Sequence, residues 1–175
     1  YRPVAVIGDD IIAAVGDVVV LDGSGSSGGE GNGLAYSWRV PDEIELDDAA
    51  SASPSFTASE AGSYTVSLVV SDGELESNVD ELTIEVSYRP EAVIALSESV
   101  VGVGESVSLD GTGSSDGDGD GLIYEWTASS GVSLTNGDSA TPTFVAEEPG
   151  TYTVELVVSD GLWVSEVSRV EIQVS

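Results

Sequence analysis

GSYTVSLVVSDG at residues 62–73 and GTYTVELVVSDG at residues 150–161 are one pattern at two places in the chain. In both, the alternate positions Tyr64, Val66, Leu68 and Val70, and Tyr152, Val154, Leu156 and Val158, keep their apolar character, while Ser67 stands where Glu155 does. Conserved apolar identity at every second residue, with free exchange between, is the signature of a strand buried on one face. The closing Asp72-Gly73 and Asp160-Gly161 are hairpin signals, so each strand turns back on a neighbour.

Working outward, the duplication extends over the whole chain. YRPVAVI (1–7) returns as YRPEAVI (88–94), an offset of 87. From VGDVVVLDGSGSS (15–27) and VGESVSLDGTGSS (103–115) onward the offset is 88, so copy two carries one extra residue between Ile94 and Val103. GLAYSW (33–38) pairs with GLIYEW (121–126), and SPSFTA (53–58) with TPTFVA (141–146). The chain reads as two domains, 1–87 and 88–175, with no Gly/Ser linker between them. Leu34, Tyr36 and Trp38, matched by Leu122, Tyr124 and Trp126, form a second alternating set. Leu82, Ile84 and Val86, matched by Val170, Ile172 and Val174, form a third. Val18 and Val20 become Ser106 and Ser108, which marks an outer face, and no segment shows a helical period. Each copy is expected to contain about seven short strands in an all-β antiparallel sandwich.

Composition narrows the function. The 175 residues include 32 Asp and Glu against four Lys plus Arg, a net charge of −28, with no Cys, Met or His. Such a surface repels phosphates, which disfavours nucleic acid and anionic membrane as partners. Without Cys or His there is no thiol chemistry, no Ser-His triad and no ordinary zinc site. No stretch approaches the roughly 18 uninterrupted apolar residues of a membrane span. The adjacent acids Asp42/Glu43, Asp47/Asp48 and Glu147/Glu148 do not make a glycosidase pair, because strand neighbours face opposite ways and loop acids stay solvated. The expectation is a non-enzyme. Because it begins in mid-pattern, the chain is also expected to be a segment of a longer protein.

LDGTGSSDGDGDGLIYEW (109–126), followed by TPTFVAEEPGTYTVELVVSDG (141–161), resembles the polycystic kidney disease (PKD) repeat. The resemblance covers both copies nearly end to end and implies tandem immunoglobulin-like sandwiches. It also implies a secreted or cell-surface parent protein in which such repeats are spacers or interaction modules. One departure stands out: the family's W-x-F-G-D-G signature is absent, since Trp38 precedes Arg39-Val40-Pro41 and Trp126 precedes Thr127-Ala128-Ser129. Within that fold Trp38 and Trp126 are expected in the core, and Tyr64 and Tyr152 as tyrosine-corner residues.

The sharpest chemical feature is Asp116-Gly117-Asp118-Gly119-Asp120-Gly121. Three carboxylates at alternate positions, freed by glycines, can wrap one hard cation, and Ca2+ is the expected ion. An EF-hand is excluded, since Thr127 stands where the twelfth-position Glu belongs. In an immunoglobulin-like sandwich this loop shares an end with the turn bearing Asp160 and with the start of the domain. The expected ligands are therefore Asp116, Asp118, Asp120 and Asp160, with Asp110 and Glu60 as weaker candidates and the ion stiffening the joint between copies. Copy one reads Gly28-Gly29-Glu30-Gly31-Asn32-Gly33 there, leaving Glu30, Asn32 and Asp72 as a weaker set. The acids divide almost evenly between the copies, 17 and 15, so adaptation to salt is a rival cause of the acidity.

Trp163 replaces Leu75 of copy one just after the Asp160-Gly161 turn. It is expected to pack locally, with carbohydrate binding as the alternative. The leading expectation is thus a calcium-stabilised structural spacer in a larger extracellular protein, partnered by neighbouring domains of the same polypeptide. The alternatives are a polysaccharide- or protein-binding module, and calcium-dependent homotypic adhesion.

Overall fold

The computed structural model describes residues 1–28, 33–119, 121–129 and 131–175. The chain forms two compact units, Tyr1–Ser87 and Tyr88–Ser175. Among the described residues no helix is long and apolar enough to cross a membrane.

In the first unit the alternating segments become β1 (Ile11–Ala14), β2 (Val18–Val20), β3 (Ala35–Arg39), β4 (Ser55–Thr57), β5 (Gly62–Ser71) and β6 (Asp80–Ser87). One sheet has the order β1-β6-β5-β3 and the other pairs β2 with β4. β5 is antiparallel to both neighbours, with Trp38 opposite Leu68 and Val66 opposite Leu82, so the apolar sets from three strands meet on one face. Val66, Leu68, Val70 and Ile84 are completely buried there, and Val19, Leu21 and Phe56 close the core from the facing sheet. Each such aliphatic side chain contributes about 1.5–3 kcal/mol by leaving water. Val18 and Val20 are well exposed, as their replacement by serines in copy two indicates.

The second unit contains β7 (Ala95–Leu96), β8 (Val100–Val101), β9 (Ser106–Asp110), β10 (Ile123–Ala128), β11 (Thr143–Val145), β12 (Gly150–Ser159) and β13 (Ser168–Val174). Its sheets run β10-β12-β13-β8 and β11-β9-β7. Here the first stretch of the domain serves both sheets: β7 is antiparallel to β9, and β8 is parallel to β13. The extra residue of copy two lies in this crossing segment. In the first unit the same stretch makes only β1 and a single bridge from Val4 to Ser27. The asymmetry is consistent with the altered register.

Local side chains fix the frame in the same way twice. Trp38 and Trp126 each donate an indole N–H at 2.9 Å, to the carbonyls of Ser51 and Ser139. Gly23 and Gly111 make room for those rings: a β-carbon on Gly111 would lie 2.9 Å from the Trp126 ring and 3.1 Å from the Ala140 carbonyl. The tyrosine corners are present, with Tyr64 donating to the Glu60 carbonyl at 3.0 Å and Tyr152 to the Glu148 carbonyl at 2.9 Å. Each corner pins the turn that feeds the longest strand.

Candidate metal centre

The acidic loop of the second unit is positioned by a two-way bridge, Glu91 N–H to the Ser115 carbonyl at 2.8 Å and Ser115 N–H to the Glu91 carbonyl at 3.1 Å. This lays the start of the domain against the residues just before Asp116. A tight turn follows, with Gly119 N–H donating to the Asp116 carbonyl at 3.2 Å and Gly119 at φ +82°. Gly117 is obligatory for the packing here: a β-carbon would fall 2.5 Å from Cγ of Tyr88, so the tyrosine ring rests directly on the glycine backbone. Tyr88 also donates its backbone N–H to Oδ2 of Asp118 at 3.3 Å. From the other side comes the turn between β12 and β13, where Oδ1 of Asp160 accepts the N–H groups of Leu162 at 2.7 Å and Trp163 at 2.6 Å.

Asp116 lies between these groups. Both of its carboxylate oxygens are sealed from solvent and neither has a hydrogen-bond partner among the described residues. Burial pushes its pKa up, and the charges of Asp118 and Asp160 push it further in the same direction. Burial also acts to raise Asp160, but the N–H donors of Trp163 and Leu162 outweigh it and hold that carboxyl below the ordinary range. The loop therefore sets a sealed carboxylate against two other carboxylates. Facing acceptors cannot bond to one another without a shared proton or cation, and an unpaired buried charge is costly. Among the described residues, however, no three acidic side chains converge into a finished cage.

The remaining sequence candidates are placed as follows. Asp110 is engaged in its own turn, accepting the N–H and hydroxyl of Thr112 at 2.9 and 2.6 Å. Asp72 in the first unit copies Asp160, accepting the N–H groups of Glu74 and Leu75. Glu60 belongs to the first unit and is exposed; its carbonyl is the tyrosine-corner acceptor. Asp120, Glu30 and Asn32 lie outside the described residues. In the first unit Gly28 takes the place of Asp116, and a β-carbon there would point at Leu34 and at the β-carbon of Asp72, 3.8 Å away. Among its described residues the first unit thus keeps the equivalent of Asp160 and lacks the sealed carboxylate.

Sequence reasoning missed two participants. Tyr88 is tied to the acidic loop through both its ring and its N–H, and its only signal was the repeated Tyr-Arg-Pro opening. Arg89 stacks on Trp163, 4.8 Å from guanidinium carbon to ring centroid, a contact between residues far apart in sequence. One face of the Trp163 ring is therefore occupied by a residue of its own domain.

Comparison with known proteins accords with this architecture. The sequence profile of the PKD domain matches residues 1–86 and again 87–174. The mouse dyslexia-associated protein KIAA0319-like protein is 30% identical over 171 residues, covering 90% of this chain and 16% of that protein. Collagenase ColA of Clostridium perfringens is 33% identical over 99 residues, covering 57% of this chain and 8% of the collagenase. The chain thus spans less than a fifth of the length of either relative. Among solved structures, extracellular domains 3–5 of Drosophila OTK superpose with a TM-score of 0.63 over 99% of this chain and 61% of that one, at 10% identity. That likeness concerns the fold alone.

Proposed function

The chain belongs to the PKD domain family, and on that premise we propose that it is a non-catalytic structural segment of a larger extracellular protein, its second unit stabilised by bound Ca2+. The length of the relatives supports the first part, since in each of them the matching region is a small fraction of the whole. The observation that carries the calcium reading is Asp116. A carboxylate with both oxygens sealed, unpartnered and set against Asp118 and Asp160 calls for a shared proton or a cation, and a hard cation with oxygen preference can take that place. Asp120 is the next ligand by spacing, and main-chain oxygens of the glycine-rich loop can complete the shell. The ion would neutralise the repulsion within the loop and thereby secure Tyr88, whose N–H is held by Asp118. Its partners in this reading are neighbouring domains of the same polypeptide.

The test is a calcium titration followed by backbone amide NMR. Saturable shifts are expected at Asp116, Gly117, Asp118, Asp160 and Tyr88, with the equivalent positions of the first unit unmoved. Shifts spread evenly over acidic residues of both units would show bulk ion screening and reject the site.

A further inference from the structure

We infer that Asn136-Gly137 is a site of spontaneous deamidation, at which the second unit converts itself to an aspartate or isoaspartate form. Asn136 is the only non-glycine residue with positive φ among those described, at +56°. It stands at the tip of an exposed turn between Thr135, which is bridged to Thr143, and Asp138. Its successor is glycine, so no side chain shields the attacking peptide nitrogen. The Gly137 N–H donates to none of the described residues, leaving it free to react. Asn78 provides the contrast, because it is followed by β-branched Val79, whose side chain shields the attacking nitrogen.

The chemistry needs only water. The deprotonated Gly137 nitrogen attacks Cγ of Asn136, a C–N bond forms, and the side-chain nitrogen leaves as ammonia, closing a five-membered succinimide. Water then adds to one of the two ring carbonyls. Opening of the Cγ–N bond gives aspartate with the normal backbone. Opening of the bond from the backbone carbonyl carbon gives isoaspartate, with the chain routed through Cγ and one carbon longer.

The duplication shows what each product does. Asp48 is the first-unit counterpart of Asn136; it lacks the positive φ, but the two turns share one closing hydrogen bond, Ser51 N–H on the Asp48 carbonyl and Ser139 N–H on the Asn136 carbonyl, each at 3.0 Å. An aspartate product therefore keeps a closing bond that aspartate already accepts elsewhere in the chain. Isoaspartate instead displaces the Asn136 carbonyl, which also accepts the Ser139 hydroxyl at 2.9 Å. Ser139 in turn supplies the carbonyl that holds the Trp126 indole. The lesion thus reaches the core of the second unit through two hydrogen bonds.

The experiment ages the full chain in mildly alkaline buffer at body temperature and maps its peptides by mass spectrometry with isoaspartate-sensitive fragmentation. The peptide containing residue 136 is expected to lose the mass of ammonia and gain that of water, with isoaspartate present, while the Asn78 peptide stays unchanged. Gly137→Ala is the control, since its β-carbon meets only Leu134 at 3.4 Å and the fold accommodates it; it should lose most of the conversion. Asn136→Asp should melt like the fresh parent, whereas the isoaspartate fraction should melt lower in its second unit. Conversion at Asn78 ahead of Asn136, or equal rates in Gly137→Ala and the parent, overturns the assignment. Unchanged melting of the isoaspartate fraction overturns the link to Trp126.

Discussion

Replacing Asp116 by Asn should reverse its effect on stability according to whether calcium is present. In chelator the parent carries a sealed carboxylate with no hydrogen-bond partner beside two further carboxylates. Asn removes the charge and offers N–H donors to Asp118 and Asp160, so the metal-free second unit should gain about 1–3 kcal/mol, the usual cost of an unsatisfied buried polar group. With calcium the gap closes, and the order inverts once the binding energy exceeds that gain. A site with a Kd of about 10⁻⁴ M, within the range of extracellular modules, gains roughly 2.7 kcal/mol when calcium is one hundred times Kd. For a domain of this size each kcal/mol moves the midpoint by about 4–8 °C, so the parent's second transition should rise by roughly 10–20 °C. The assay is differential scanning calorimetry of parent and variant, with and without calcium, at constant ionic strength so that screening does not contribute. If Asp116→Asn lowers the second transition equally in chelator and in calcium, the carboxylate is a structural group and the reasoning fails. An undiminished calcium response in the variant would refute it as well.

Other outcomes follow from the paired frames. Tyr152→Phe should remove the corner bond to Glu148 at a cost of about 1 kcal/mol, lowering only the second transition, and Tyr64→Phe should do the same to the first. Gly111→Ala should drive a β-carbon against Trp126 and the Ala140 carbonyl, costing about 1–3 kcal/mol through overpacking, read from the urea midpoint. Asp47 is held below the ordinary carboxylate range by the Ser55 N–H and hydroxyl. Its stabilising contribution is complete above the unfolded-state value and is lost as pH falls through the lower folded value. The acid limb of first-unit melting should therefore be shallower in Ser55→Ala. Arg89→Ala should remove the cation from the Trp163 face at a cost of about 0.5–1 kcal/mol and shift tryptophan emission to the red.

The sandwich was legible because the duplication acts as an internal alignment: a position apolar in both copies, such as Leu68 and Leu156, faces the core, and one that drifts, such as Ser67 and Glu155, does not. The Trp and Tyr anchors were readable for the same reason. What escaped was set by contacts between distant segments. Tyr88 meets Gly117, and Arg89 meets Trp163, only because the fold brings the domain entrance to the loop end. Ser77 and Ser165 also escaped. Each is buried within an irregular stretch after the hairpin, where its hydroxyl accepts a backbone N–H, from Val70 and Val158 respectively, at 3.0 Å. Hydroxyl side chains read as surface until the ladder they complete is seen. In the candidate metal centre, sequence spacing drew attention to the acidic loop, but it carried no sign that Asp116 alone among its described carboxylates is sealed.

The most direct measurement is isothermal calorimetry of the chain with calcium, repeated on Asp116→Asn and at high sodium chloride. A saturable heat with one ion per chain is expected, persisting in salt and disappearing in the variant. A heat that vanishes with ionic strength, or one that the variant retains in full, would contradict a specific ion at Asp116 and return the acidity to bulk counter-ion binding.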